Sequence, residues 1–171
     1  MQFPRDTVQS RTMTALGTVH LAASSQGLVG LWFDGQRHQP PELATWPADD
    51  GHPVLREAAR QIRDYLDGAR DGFDLVFDLS GGTPFQQAVW RALLAIPRGG
   101  TTSYGAIARQ LGRPHAVRAV GAAVGRNPVS VAVPCHRVLG SGGALTGYAG
   151  GLERKAALLR LEGALPPGAG R

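Results

Sequence analysis

Cys135 is the only cysteine in the chain. That excludes an internal disulfide and any zinc site built on paired cysteines, so apolar burial must hold the fold together. The chain is long enough for this. Its 171 residues point to one domain or two small ones. A chain of this length buries about two thirds of its unfolded surface without staples. No metal and no cofactor is expected. A lone cysteine is usually a small buried hydrophobe, and its neighbours decide whether it is more than that.

The pattern changes near Ser80-Gly81-Gly82, which reads as a linker. Residues 1–80 read as mixed α and β. Thr18–Ala23 and Leu28–Phe33 suit two strands around a Ser24-Ser25-Gln26-Gly27 turn. Pro53–Asp67 suits an amphipathic helix with Leu55, Ala58, Ala59, Ile62 and Leu66 inward and Gly68 as its stop. Phe73–Leu79 reads as a strand. Residues 81–171 read as mostly helical. Thr83 caps a helix with Pro84 in its first turn and Phe85, Val89, Leu93 and Ile96 inward. Ser103 caps a short helix that ends near Leu111-Gly112. Pro114 opens another that runs to about Gly125. Val129–Val133 reads as extended and apolar. Leu152–Glu162 is a last helix with Leu152, Ala156, Leu159 and Leu158 as inward candidates, and the tail from about 164 is expected to be disordered. The fold class is therefore α/β, with a helical second half that contains a helix-turn-helix outline.

Charge divides at the same place. Residues 1–85 carry 7 basic and 11 acidic side chains, whereas 86–171 carry 11 and 2. No Asp or Glu occurs between Leu79 and Leu152. High-GC codon use would explain Arg in place of Lys, but not the loss of acids from one half. An acid-free, arginine-rich segment can approach a polyanion without repelling it, which favours nucleic acid as partner. The second helix of the outline offers Ala116, Val117, Ala119 and Val120 rather than an Asn, Gln and Arg array. Such a face suits close approach to a minor groove, or packing of helix on helix, better than base reading in the major groove. Arg118 stands in it as a lone long cation. No apolar run approaches a membrane span and the start has no signal-peptide core, so a cytoplasmic protein is expected.

In Pro134-Cys135-His136-Arg137-Val138, His and Arg beside a thiol favour thiolate. His136 needs an acid to orient it. The second half offers only Glu153 and Glu162, and spacing does not choose between them. Cys with His also fits a thiol hydrolase. The Gly-rich loop 140–151 lacks Gly-Lys-Ser/Thr and is no Walker phosphate loop.

These motifs resemble the O6-alkylguanine-DNA alkyltransferases, or methylated-DNA–protein-cysteine methyltransferases. The resemblance runs from about 83 to 163. It includes Ser103-Tyr104-Gly105, Arg118-Ala119-Val120-Gly121, Asn127-Pro128, the Pro-Cys-His-Arg-Val segment, Gly147-Tyr148-Ala149-Gly150-Gly151-Leu152 and Leu161-Glu162-Gly163. The first half suits the family's variable ribonuclease-H-like domain. The resemblance implies irreversible, single-turnover transfer of the alkyl group from O6-alkylguanine, and from O4-alkylthymine, in duplex DNA to Cys135 after base flipping. It implies that Glu162 orients His136, which deprotonates Cys135 through a water. Tyr104 would crowd the phosphate and donate to guanine N3, and Asn127 would brace the hinge. Arg118 would fill the place of the flipped base. Ser103, Tyr104, Ala116, Val117, Ala119 and Arg126 would lie on the minor groove. Val138, Tyr148, Ala149, Gly150 and Ser130 would line the base pocket. Ser130 and Ala149 stand where some members carry Pro and Ser, so the range of alkyl groups does not carry over. A monomer is expected. A non-catalytic module that senses alkylation is the competing reading. Cys135 and the lack of a Cys-rich first domain weigh against it.

Overall fold

The computed structural model describes residues 1–165. The protein is a two-domain α/β fold, a first half with a three-stranded sheet followed by a helical second half. β1 (Val8–Thr14), β2 (Gly17–Ser24) and β3 (Gly27–Phe33) form an antiparallel meander. β1 is a strand that the sequence did not announce. Only Ser10 of its seven residues is buried, so it carries no apolar alternation. Gly27 closes the second hairpin at φ 140, where a Cβ would stand 2.5 Å from the carbonyl oxygen of Val76. Only glycine fits that approach.

α1 (Pro53–Leu66) covers one face of the sheet with Leu55, Ala58, Ile62 and Leu66, as its periodicity predicts. Tyr65 is buried there too, outside the predicted stripe. Trp32, Val29 and Leu43 occupy the other face, with Phe3 and Trp46 edge-on to each other. Phe73–Leu79 is not a strand. It is extended, but makes a single parallel bridge, Phe77 to Leu28. The Gln61 side chain takes both the N–H and the carbonyl of Asp74, groups that a ladder would have used.

α2 (Pro84–Leu94) opens on a full capping box between Thr83 and Gln86. α3 (Tyr104–Gln110) is capped by Ser103 and closed by Gly112, with Arg113 N–H on the Ala108 carbonyl. α4 spans Val117–Gly125 and starts three residues later than Pro114 suggested. Pro114 and His115 form a turn instead, held by Ala116 N–H on the Arg113 carbonyl. Val129–Val133, by contrast, is not extended. Only Val129 bridges, to Leu31 of β3, and the chain then folds through tight turns with Val131 at φ 69. A β-branched residue in that region costs on the order of 1–3 kcal/mol. A short apolar run is buried whether straight or coiled, so its composition could not separate the two. β4 (Thr102–Ser103) pairs in parallel with β5 (Val138–Leu139), which ties the start of α3 to the end of the Cys135 turn.

α5 (Leu152–Leu161) buries Ala156, Leu158 and Leu159. Leu152 is exposed, and the inward position falls to Lys155. Ala164 and Leu165 both donate to the Leu159 carbonyl, so the chain is held at the point where disorder was expected. The rest of that tail, 166–171, lies outside the described residues. One continuous buried cluster draws on β2, β3 and α1 from the first half and on α2, α3, α4 and the Cys135 turn from the second. Among the described residues, no helix is long and apolar enough to cross a membrane.

Candidate active site

Cys135 opens a short 3-10 turn, Cys135–Arg137, at the centre of the shared core. Its N–H is held by the Val133 carbonyl at 2.8 Å. Asn127 organises the turn from within. Its Oδ1 accepts from Val129 N–H at 3.0 Å, and its Nδ2 reaches the Val133 carbonyl at 2.8 Å and Cys135 Sγ at 3.1 Å. Burial pushes the Cys135 thiol up, against the pull of Asn127 and of the Lys155 charge. This corrects the expectation that Arg137 beside it favours thiolate. The Arg137 guanidinium points away, to Glu162 and to the Ile96 carbonyl.

His136 is fully buried, with Nε2 2.5 Å from Glu162 Oε1. Of the two acids open to it, the fold brings Glu162 to the imidazole. A carboxylate only accepts, so Nε2 carries the proton and Nδ1 keeps the lone pair. Nδ1 is buried with no hydrogen-bond partner among the described residues. Burial holds His136 below the usual imidazole range, more strongly than Glu162 raises it. For Glu162 the balance is reversed. Burial works to raise it, but hydrogen bonds from His136, Arg137 and Tyr65 hold it down at about 2.

Two buried groups join this centre that motif reading missed. Lys155, with no exposed surface, donates to the Val138 carbonyl at 2.5 Å and to the Thr146 carbonyl at 2.7 Å. Burial lowers its ammonium to about 8, with Cys135 as the opposing influence. One signal was available, since Lys155 is the only lysine beside 17 arginines. Tyr65 Oη lies 2.5 Å from Glu162 Oε1. Nothing in its sequence neighbourhood marks it.

The remaining expected residues fall into two groups. Tyr148 and Gly150 are buried, Ala149 is half-buried, and all belong to the loop beside Cys135. A Cβ on Gly150 would meet the Tyr148 ring at 2.7 Å. The Tyr148 hydroxyl is buried with no hydrogen-bond partner among the described residues, and burial first, then the Cys135 charge, push it well above the usual phenol range. Ser130 donates to Gln36 of the first half at 3.0 Å. Arg37 N–H holds the Ala149 carbonyl at 3.1 Å. Val138 is buried in β5. Tyr104 is half-buried, and its hydroxyl lies 3.4 Å from the carbonyls of Thr146 and Gly147. The second group belongs to the start of α3 and to α4 with its two caps. Val117, Arg118 and Ala119 of α4 and Arg126 beyond it are exposed, while Ala116 and Ser103 are half-buried. Val120, Ala123 and Val124 form the packed side of α4, where Trp90 Nε1 donates to the Ala123 carbonyl. The small residues thus divide, some packing helix on helix and some facing out.

Fold and site together define a two-domain α/β protein with a buried cysteine next to a buried His–Glu pair. The DNA-binding domain of 6-O-methylguanine DNA methyltransferase matches residues 84–164, and the ribonuclease-like domain of the same proteins matches 8–79. The chain belongs to the O6-methylguanine DNA methyltransferase family. A methylated-DNA–protein-cysteine methyltransferase of Mycobacterium tuberculosis is 47% identical over 152 residues, 89% of this chain and 90% of the relative. One of Methanosarcina barkeri is 45% identical over 147 residues, 86% and 91% of the two chains. The crystal structure of Mycobacterium tuberculosis OGT in complex with DNA superposes with a TM-score of 0.82 at 43% identity, covering 94% of this chain and 96% of that one.

Proposed function

We propose that Cys135 is the alkyl acceptor of this chain, which is a methylated-DNA–protein-cysteine methyltransferase, binds DNA and repairs O6-methylguanine in it. The carrying observation is the buried thiol held at 3.1 Å by Asn127, next to a His136–Glu162 pair at 2.5 Å. Residues 81–171 are the DNA-binding and acceptor part, and residues 1–80 brace it.

The duplex lies against α4 through its minor groove. Val117, Ala119 and Ala116 allow close approach, while Ser103 and Arg126 meet phosphates. Arg118, exposed in the middle of that face, takes the place of the flipped guanine, and Tyr104 crowds its phosphate. The base enters between α3 and the 147–151 loop. Backbone groups of Val138, Ala149 and Gly150 hold its edges, and Tyr148 and Ser130 close the far end. His136 Nδ1 takes the Cys135 proton through a water, with Glu162 holding the imidazolium. Sγ attacks the alkyl carbon in line. The S–C bond forms as the C–O6 bond breaks, the electron pair passes to guanine, and Tyr104 eases its departure with a hydrogen bond to N3. The product is a thioether. Water does not cleave it, so each molecule acts once. O4-alkylthymine presents the same alkyl–oxygen bond and is a second substrate. The acceptor works as a monomer.

Intact mass after mixing with excess duplex carrying one O6-methylguanine, followed by peptide mapping, tests this. One methyl on the Cys135 peptide and no second event is expected. Tight lesion binding with unchanged mass would make the chain an alkylation sensor instead.

A further inference from the structure

Tyr65 belongs to α1, on the far side of the linker from the Pro-Cys-His-Arg segment, yet it ends inside the relay. Its hydroxyl lies 2.5 Å from Glu162 Oε1. That same oxygen accepts from His136 Nε2 at 2.5 Å. Arg137 completes the set, with Nε 2.8 Å from Oε2, and Nη2 3.2 Å from Oε1 and 3.3 Å from Tyr65 Oη. Three of these four donor contacts converge on Oε1, more than its two lone pairs can serve equally, and one reaches Oε2. The phenol and the imidazole therefore draw on the same charge.

We propose that Tyr65 is a positioning residue for the ionisation of Cys135. By donating into the oxygen that His136 also uses, its phenol limits how far Glu162 stabilises imidazolium, and so sets the pH below which His136 can no longer take the thiol proton. This rests on the alkyl-transfer reading above and deepens it. The phenol stays a donor throughout the working range, because burial and then Glu162 push it up to about 12. A ring that merely filled the core would need no hydroxyl. Here the hydroxyl is aimed at the carboxylate that contacts His136, across 97 residues of sequence.

Other charges facing the centre are the same with or without the phenol. Lys155 comes from α5, Cys135 and Arg137 from the 3-10 turn, and Tyr148 from the loop before α5. Arg98, after α2, stands 6.0 Å from the Tyr65 ring and donates to the Leu161 carbonyl. Asp71 pairs with it. A shift produced by removing one oxygen atom is therefore assigned to the phenol.

The test is the single-turnover rate of methyl transfer from an O6-methylguanine duplex against pH, for wild type, Tyr65→Phe and a protein with 3-fluorotyrosine at position 65. Tyr65→Phe frees Oε1 for His136, so imidazolium persists to higher pH. The acid limb of the profile should rise by about half a pH unit or more, less than the roughly one unit that a whole hydrogen bond to a charged group is worth, because His136 feels the phenol only through Glu162. Fluorotyrosine keeps ring and hydroxyl but is the stronger donor, so it should move the limb the other way. It also decides the matter if Tyr65→Phe folds poorly. A limb that stays in place in both proteins, with wild-type methyl uptake at plateau, would reduce Tyr65 to packing. A wild-type protein that takes up no methyl at any pH would overturn the alkyl-transfer reading and this role with it.

Discussion

Asn127 Nδ2 stands 3.1 Å from Cys135 Sγ, and the same side chain braces Val129 and Val133 on either side of the left-handed Val131. One amide thus fixes the shape of the turn and presents a donor to the sulfur. Asn127→Ala should raise the thiol further and slow transfer roughly tenfold to a hundredfold, since a hydrogen bond to a charged group is worth about 1.5–3 kcal/mol. Alkylation of Cys135 by iodoacetamide across a pH series reads the thiol directly, and an unmoved titration would remove the amide from the account.

Lys155 is the cation that this thiol feels. Lys155→Met keeps much of the side chain's bulk and removes the charge, so the thiolate loses its opposite partner. At neutral pH transfer should fall by roughly tenfold or more. Measured rates equal to wild type, in a folded protein, would show that the ammonium serves only the Val138 and Thr146 carbonyls.

Glu162 links chemistry to acid stability. Its carboxyl is held at about 2 in the fold against an ordinary value of 4.5. A depressed acid contributes stability that is fully present above its unfolded value and is lost as pH falls through its folded one. The stability gap between wild type and Glu162→Gln should therefore be widest above pH 4.5 and close towards pH 2. Urea unfolding at stepped pH measures it, and a gap that does not narrow would contradict the assigned pairing.

Arg118 is exposed on α4, whereas the thiol is buried. Arg118→Ala should slow transfer from duplex DNA roughly tenfold or more, because a flipped nucleotide costs a few kcal/mol to hold. Reaction with the free base O6-methylguanine needs no flipping and should be unchanged. Equal losses on both substrates would place the defect in the pocket.

A methyl group on Cys135 has little room. The sulfur's residue is 4% exposed and sits among packed Val and Ala side chains. Overpacking of this kind costs about 1–3 kcal/mol. The methylated protein should melt below the free one, and a melting point at or above it would show that the turn relaxes freely.

The parts of the fold written in local patterns were legible. Pro53, Thr83-Pro84 and Ser103 fixed three helix starts through capping and proline chemistry, and Gly68 and Gly112 fixed two ends. β1 and the coiled 129–133 segment were not, because one lacks alternation and the other is buried throughout and apolar but for Ser130. The site divides in the same way. Cys135, His136 and Arg137 are neighbours in sequence and draw the eye. Of their partners, Asn127 and Glu162 were named through the family resemblance, whereas Lys155 in the middle of α5 and Tyr65 on α1 belong to no motif. Even the effect of Arg137 was misread, since adjacency says nothing of direction and its guanidinium faces Glu162.

The bridge between Leu31 and Val129 has a bearing on how such a chain can be divided. Leu31 N–H reaches the Pro128 carbonyl, and Ser130 N–H returns to the Leu31 carbonyl. The second half thereby supplies the outer rail of the first half's sheet. Cut at the linker, each fragment would present a raw seam: open peptide groups along β3 on one side, an unbraced reactive turn on the other. Nature's two labelled modules are in this respect a hinge and its pin, inherited as a pair, and a graft of the acceptor half onto a foreign scaffold would have to bring its rail along.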